Sequence, residues 1–355
     1  MPGQVHVVGA RPNFIKAAPV VSALQDMGDD PLLIHTGQHY EPELSEVFFD
    51  QLGLPEPERN LGVGSGSQAG QTAALMVALE ELVLDIAPDS LVVYGDVNST
   101  LAAALVASKL HVAVAHVEAG LRSFDRSMPE EINRVVTDIL SDIHFATSAE
   151  AVEHLANEGI SPDGVHLVGN SMIDTLVRFK ERLDVDRARL RFGIETDYAL
   201  ATLHRPSNVD QPDAANDVVR ALAMVSNEIR IVLPLHPRGR ANLEAAGLMN
   251  LPGVAVTGPI GYLEFMSLMS GARLVLTDSG GIQEETTVLG VPCLTLRDNT
   301  ERPITVTMGT NRLVGRNPDL IFESAVEVLK NPPQGRIPPL WDGLAGRRIA
   351  EILQR

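Results

Sequence analysis

The chain is short of the residues that staple, chelate and bind polyanions. It has one cysteine, Cys293, which excludes an internal disulfide and a cysteine metal cluster. Cys293 follows Val-Pro in the strand-like VPCLTL and reads as a small core hydrophobe. Aromatics are 4% of the residues, while Ala, Val and Leu are abundant, the balance of an α/β protein. There are four lysines, Lys16, Lys109, Lys180 and Lys330, and the formal net charge is −18. Such a chain repels nucleic acid and anionic membranes, which excludes both as expected partners. Acidity with so little lysine suits a salt-rich cytoplasm. No apolar run approaches the roughly 18 residues of a membrane span, and the N-terminal region opens on strand-like VHVVGA without a signal segment. The expected location is therefore cytoplasmic. No internal repeat or low-complexity tract is visible.

What is present fills two α/β cores. The length, 355 residues, and the hydrophobic fraction, 45%, suit two domains. QVHVVG, PLLIHTG, SLVVYGD, HVAVAHVE, DIHFATS and GVHLVGN read as buried strands up to about residue 170, with helical patterns between most of them. The segment 43–52 reads as amphipathic, and LGVGSGSQAG (61–70) as a loop. PEEINRVVTDILS (129–141) has a helix signature, proline first and acids in the first turn. Residues 170–197 read as one charged helical connector. A second alternating set then runs through YALATLH, IRIVLPLH, VAVTG, RLVLTDS, VPCLTLR and RLVG, and GLAGRRIAEILQR closes the chain as a short helix. Near-continuous apolar strands alternating with helices predict two Rossmann-like, doubly wound domains facing a central cleft, one over 1–170 and one over 171–342.

In open α/β sheets, ligands bind beyond the carboxyl ends of the strands. Charged residues recur there: Arg11, His39, Asp96 and Glu118 in the first set, then His204, Arg205, His236, Arg238, Asp278 and Ser279 in the second. Leu274–Glu285 (LVLTDSGGIQEE) is a strand, a Gly-Gly turn and a helix start, the local design of a phosphate cradle. On local grounds it reads equally as a turn with nothing bound. Glu130 and Glu131 read as helix-dipole partners or as reactive acids, and Lys16 as a surface lysine or a site cation.

Other motifs lead nowhere. GVGSG (62–66) follows no strand, so it is a poor dinucleotide fingerprint. Asp184 and Asp186 mimic a metal-binding pair but sit in the connector, where a solvated helix face is the simpler reading. The histidines lack zinc spacing. No Tyr-x-x-x-Lys pair occurs, which disfavours a short-chain NAD-dependent epimerase or dehydrogenase.

The segments GARPNFIKAAP, TGQHY, GDVNSTLAAAL, HVEAGLRS, MPEEINR, VGNSMIDTL, LPLHPR, TDSGGIQEE and RDNTERPITVTMGTNRLVG, in this order over nearly the whole chain, resemble the non-hydrolysing UDP-N-acetylglucosamine 2-epimerase family. The resemblance implies a two-domain fold of the glycosyltransferase-B, glycogen-phosphorylase type, with a C-terminal helix (about 343–355) packed back on the first domain. It implies an isomerase that interconverts UDP-GlcNAc and UDP-ManNAc without a cofactor or metal, and a homodimer. UDP would be eliminated to a 2-acetamidoglucal and added back after proton transfer at C2.

The same resemblance assigns residues. Asp96, Glu118, Glu130 and His204 match catalytic positions, with the face of C2 served by each carboxylate left open. Arg11, Lys16, Phe265, Ser279, Gly280, Gly281, Glu285 and Arg302 match UDP-sugar positions. Among these, Ser279 to Gly281 would cradle the diphosphate, Glu285 accept from the ribose and Phe265 pack the uracil. Gln38, His39 and His236 match a regulatory UDP-GlcNAc site. Two departures stand out: Asn13 replaces a common Glu, and Pro206-Ser207-Asn208 follows the His-Arg pair where many members carry another Arg or a Glu. They leave room for a relative acting on a UDP-diacetamido-sugar or its uronic acid. A UDP-sugar glycosyltransferase and a non-catalytic UDP-sugar sensor are the other readings.

Overall fold

A computed structural model of the chain describes residues 3–37, 49, 51–235 and 237–355, with Arg11 described by its backbone alone. The expected regulatory residues Gln38, His39 and His236, and most of the amphipathic segment 43–52, lie outside the described residues.

The chain forms two compact units, residues 1–178 with 339–355, and residues 179–338. In the first unit, the strands are β1 (Gln4–Val8), β2 (Leu32–His35), β3 (Arg59–Asn60), β4 (Ser90–Tyr94), β5 (Ala113–Ala119), β6 (Ile143–Ala146) and β7 (Val165–Leu167). They make one sheet in the order β3-β2-β1-β4-β5-β6-β7, and every pairing is parallel. The second unit holds β8 (Tyr198–Thr202), β9 (Arg230–Pro234), β10 (Val254–Thr257), β11 (Leu274–Thr277), β12 (Cys293–Thr295) and β13 (Asn311–Leu313). Their order is β10-β9-β8-β11-β12-β13, again all parallel. Parallel strands are covered on both faces, which is why they read as unbroken apolar runs.

Each unit has its own core. Val5, Val7, Leu91 and Val93 pack with Leu75, Leu79 and Ala103 in the first. Ala201, Leu233, Leu274 and Leu276 pack with Val218, Leu222 and Ile321 in the second. The helices start where side chains can take their free N–H groups. Ser67 accepts from Gly70 ahead of Gln68–Ile86, and Asn317 accepts from Asp319 and Leu320 ahead of Pro318–Lys330. The strand order turns back between β1 and β4 in one sheet and between β8 and β11 in the other, and such switch points are where α/β sheets take ligands.

The expected connector over 170–197 is corrected. It breaks into a helix, Ser171–Phe179, a single 3₁₀ turn, and a second helix, Val185–Arg191. Asp184 is the N-cap of that second helix and accepts from the Arg187 N–H, so half of the Asp-Val-Asp pair is spent on capping. The first helix belongs to the N-terminal unit, because the Thr175 hydroxyl donates to the Ile15 carbonyl and Asp174 accepts from the Gly346 N–H. The boundary therefore falls at Arg178–Phe179, not at residue 170. The C-terminal helix, Ala345–Leu353, lies on Arg11–Asp26, with Gly346 so close to the Pro19 backbone that a Cβ there would sit 2.6 Å from its carbonyl carbon. β3 was not anticipated; its two residues, Arg59 and Asn60, are exposed and carry no apolar pattern.

Candidate active site

In the first unit the site grows from the turn after β4. Gly95 adopts φ +62°, and a Cβ there would lie 2.8 Å from Lys16 Nζ and 3.9 Å from Glu118 Oε1. Only glycine fits a left-handed turn with so little room. Lys16 reaches this corner from the helix Arg11–Asp26, and its Nζ lies 2.8 Å from Glu118 Oε1, with both side chains buried. Glu118 sits at an irregularity of β5, where the register to β6 shifts, with φ +76°. Such a backbone is costly for a residue with a side chain and is found where the surroundings impose it. The strain turns the carboxylate to the end of the sheet that carries Asp96.

Asp96 follows Gly95 and is held twice by the helix Pro129–Leu140. Arg134 Nη1 is 2.5 Å from its Oδ2, and Asn133 Nδ2 donates to its carbonyl at 2.8 Å. On the same helix the two expected acids divide. Glu131 is buried and accepts from the N–H and hydroxyl of Ser123, the N–H of Phe124, and Arg134. Burial alone would raise its pKa, but these donors hold it below the usual range. Glu130 is half-buried and makes no hydrogen bond or ion pair among the described residues. Glu131 is thus committed to the loop and Glu130 is available for chemistry. Asp96, Glu118 and Lys16 are brought together around Gly95, and Glu130 lies on the helix that holds Asp96.

The two sequence departures are structural. Asn13 is buried; its Oδ1 accepts from the N–H groups of Gly9 and Ala10, and its Nδ2 donates to the Tyr94 carbonyl at 2.7 Å. Asn208 Nδ2 donates to Asp278 Oδ2 and the Leu296 carbonyl, both at 3.1 Å. Asn13 is thus held by backbone groups on both sides of its amide, while Asn208 spends its Nδ2 on Asp278 and Leu296 and keeps an Oδ1 unpartnered among the described residues.

In the second unit, Asp278 is fully buried at the end of β11 and organises the end of β8. It accepts from the backbone N–H groups of His204 and Arg205, and its Oδ1 lies 2.9 Å from His204 Nδ1. Desolvation raises its pKa, but the His204 hydrogen bond and charge, the Arg205 N–H and Asn208 outweigh burial and keep it low. His204 is the exposed end of this relay, with its side chain 42% accessible. Beyond Asp278, Ser279 precedes the helix Gly280–Leu289 and makes no side-chain cap hydrogen bond among the described residues. The N–H groups of that first turn are therefore not taken by a side-chain cap from Ser279. A Cβ on Gly280 would collide with Arg302 Nη1 and Glu301 Oε1.

Arg302 is buried here, with Nε 2.9 Å from Glu284 Oε2 and Nη1 against Glu301. It is held by carboxylates beside the cradle. Glu285 is fully enclosed, and burial with the neighbouring Glu284 pushes its pKa up to about 8, against a hydrogen bond from Tyr262. Phe265 lies half-buried on the helix Tyr262–Ser270. Arg11 opens the helix Arg11–Asp26 after β1, at the switch point of the first sheet. Among the described residues no cluster of three or more His, Cys, Asp or Glu could hold a metal, and no helix is long and apolar enough to cross a membrane.

Sequence reasoning passed over Arg134, Asn133, Glu301 and Tyr262. The i,i+3 spacing of Glu131 and Arg134 was an available signal for one of them. The i,i+4 spacing of Arg297 and Glu301 was another, while Asn133 and Tyr262 act through contacts distant in sequence.

The comparisons agree with this geometry. The family model described as UDP-N-acetylglucosamine 2-epimerase matches residues 22–354. The chain is 43% identical over 357 residues to a UDP-N-acetylglucosamine 2-epimerase of Methanocaldococcus jannaschii, covering 98% of this chain and 97% of that one. It is also 43% identical, over 353 residues and 98% of each chain, to the UDP-2,3-diacetamido-2,3-dideoxy-D-glucuronate 2-epimerase of Pseudomonas aeruginosa. A crystal structure of the M. jannaschii UDP-GlcNAc 2-epimerase in complex with UDP-GlcNAc and UDP superposes with a TM-score of 0.93, at 42% identity and 99% coverage of both chains. The two parallel-sheet domains are those of the glycosyltransferase-B type of fold that these enzymes share. With its strand-end carboxylates and its glycine cradle, this chain belongs to the UDP-N-acetylglucosamine 2-epimerase family.

Proposed function

We propose that this isomerase interconverts UDP-GlcNAc and UDP-ManNAc by elimination and re-addition of UDP. The observation that carries the reading is the corner around Gly95, where Asp96 and Glu118 are each paired to a cation, Arg134 and Lys16, at the switch point of the sheet. The C2 proton of a GlcNAc unit has no adjacent carbonyl and is hard to remove. As the C1–O bond to UDP breaks, positive charge develops at C1 and the C2 proton becomes acidic. A carboxylate takes that proton, the C–H electrons form the C1=C2 bond, and UDP leaves with the C1–O electrons. In the return step a UDP oxygen attacks C1 while a second carboxylic acid delivers a proton to the opposite face of C2. Asp96, Glu118 and Glu130 supply acid, base and charge stabilisation. In the second unit, Ser279, Gly280 and Gly281 take the diphosphate, His204 stabilises the departing phosphate, Glu285 accepts from the ribose and Phe265 packs the uracil. Arg11 adds a positive charge for the nucleotide. Arg302 holds the cradle in shape. No cofactor enters this scheme.

The test is incubation of UDP-GlcNAc with enzyme in D2O. Deuterium at C2 together with UDP-ManNAc is expected, and no exchange with any UDP-N-acetylhexosamine would sink the reading. A second reading, a 2-epimerase of a UDP-diacetamido-sugar or its uronic acid, is favoured by the equal identity to the P. aeruginosa enzyme. Asn13 does not separate the two, since its amide is occupied by backbone groups. A panel of UDP-sugars in the same assay decides, and transfer to an acceptor without C2 exchange would mark a glycosyltransferase.

The working form in this proposal is a homodimer. The helix Pro129–Leu140 is inverted: it buries Glu131, Asn133, Arg134, Thr137 and Asp138 and leaves Ile132 and Ile139 exposed. It packs beside Asn98–Lys109, which packs beside Gln68–Ile86, where Val77 and Leu84 are exposed in turn. A second copy covering this face would bury those side chains. Light scattering should give twice the chain mass, and Ile139→Glu should halve it.

A further inference from the structure

We propose that His116 is a positioning residue for the C2 chemistry, held as a buried imidazolium that fixes the peptide carrying Asp96. His116 lies in β5 and is fully buried. Its Nε2 is 2.8 Å from the carbonyl oxygen of Gly95. A carbonyl oxygen can only accept, so Nε2 carries a hydrogen. Its Nδ1 is 2.6 Å from Asp138 Oδ1. Asp138 Oδ2 accepts from the Gly120 N–H at 3.0 Å and lies 2.7 Å from Arg122 Nη1. A carboxylate gripped by a guanidinium and a backbone N–H keeps its charge, so Nδ1 carries a hydrogen as well. Both ring nitrogens donate, and the ring is cationic. The surrounding charges close. Arg122 also forks onto both oxygens of Glu158, so His116 and Arg122 stand against Asp138 and Glu158. Two buried cations stand against the buried Asp138 and the solvent-exposed Glu158, each hydrogen-bonded, which avoids the cost of an isolated buried charge.

The consequence falls on the active corner. β5 holds the Gly95 peptide at both ends, because the Gly95 N–H donates to the Val117 carbonyl at 2.9 Å and its carbonyl accepts from His116. Gly95 has no side chain to steady it, and it is the point around which Lys16, Glu118 and Asp96 meet. A charge-assisted bond to its carbonyl resists rotation more firmly than a neutral one and favours the ionised form of the adjoining Asp96. His116 touches no substrate in this scheme and acts through Gly95. This inference rests on the assignment of Asp96 and Glu118 to C2.

The test has two arms on the full-length enzyme. In wild-type protein labelled with ¹⁵N in the histidine rings, at neutral pH, both His116 nitrogens should show directly bound hydrogens. The signal is assigned by its loss in His116→Asn. One neutral tautomer would overturn the proposal. In kinetics, His116→Asn, which keeps a donor toward Asp138 and falls short of Gly95, should lower kcat and C2 exchange about 100-fold. KM and UDP affinity should stay within about threefold. His116→Gln, whose amide reaches the Gly95 carbonyl, should recover part of that loss. Parallel loss of kcat, UDP affinity and Tm in both variants, with no rescue by Gln, would reduce His116 to a packing residue and overturn the proposal. If neither variant folds, the ring signal is assigned by through-bond correlation to the His116 backbone resonances, and the wild-type spectrum decides. Failure of wild-type C2 exchange refutes the epimerase reading and leaves the ring protonation to be judged on its own signal.

Discussion

Glu130 and Glu131 are adjacent, chemically identical and on one helical turn, yet their surroundings separate them. Glu131 receives five hydrogen bonds from Ser123, Phe124 and Arg134, so Glu131→Gln removes a buried charge from a matched guanidinium. We expect a loss of about 3–5 kcal/mol of stability, read by urea denaturation. Glu130→Gln should leave stability within about 0.5 kcal/mol and abolish C2 exchange. The reverse pattern would exchange their roles. The residue pattern alone names the pair without dividing it; the family resemblance singles out Glu130, and the structure adds a physical difference, since Glu131 is the carboxylate bound to the loop 123–124. Asn13 and Asn208 teach the converse lesson: they looked like specificity positions and are anchored on backbone atoms. Glu285 yields a pH prediction. With its pKa raised to about 8 by burial and by Glu284, the free enzyme holds it protonated at neutral pH. The ribose hydroxyls are best received by the carboxylate, so UDP binding releases that proton and UDP affinity rises with pH. Calorimetry between pH 7 and pH 9 should show up to about a tenfold gain, lost in Glu285→Gln.

The strand ends were legible at the element scale because parallel strands announce themselves as apolar runs, and their carboxyl ends are where α/β sheets place ligands. Asp96, Glu118, His204 and Asp278 all follow from that rule. The break at Leu183 was illegible, since 170–197 is uniformly charged and helical in propensity, and the division comes from Thr175 and Asp174 docking on the first unit. The inverted helix Pro129–Leu140 was legible as a helix but not as one whose polar stripe faces inward, because periodicity gives a stripe without its direction. Asp174 makes the docking of the C-terminal helix pH-dependent. Burial raises its pKa to about 6, against the N–H groups of Gly346 and Ala345 that lower it. The folded pKa exceeds the unfolded one, so the stability this group contributes is fully present below about pH 4 and is lost as pH rises through about 6. Relative to Asp174→Asn, which cannot titrate, the wild type should lose up to about 3 kcal/mol between those limits. Urea denaturation of both proteins across this range measures the difference, and a constant difference would contradict the assignment.

For the whole molecule the decisive quantity is charge. Forty-six acids stand against twenty-eight Lys and Arg, a deficit of eighteen cations. Five of the cations are buried among the described residues. Lys16, Arg122, Arg134, Arg297 and Arg302 are all nearly inaccessible and all paired with carboxylates. Eight acids are buried with them among the described residues, so the outer surface keeps most of the acidic excess, and its mutual repulsion opposes the compact state. Added salt shortens the Debye length from about 10 Å at 0.1 M to about 3 Å at 1 M. It relieves the surface repulsion but barely reaches the buried pairs. Exposed pairs such as Arg220–Asp319 and Arg312–Glu327 weaken as well, but surface pairs of this kind contribute little to stability. The net effect of salt is stabilising. Tm should climb as KCl rises from about 0.05 M to several molar, by about 2–4 °C for each kcal/mol of repulsion removed. KCl is the proper salt, because sulfate stabilises most proteins by exclusion from their surface whatever their charge. Substituting four exposed acids on the helices of the second unit by Gln or Asn should flatten the rise. A Tm that is equal in dilute and molar KCl would show that the acidic surface costs the fold nothing.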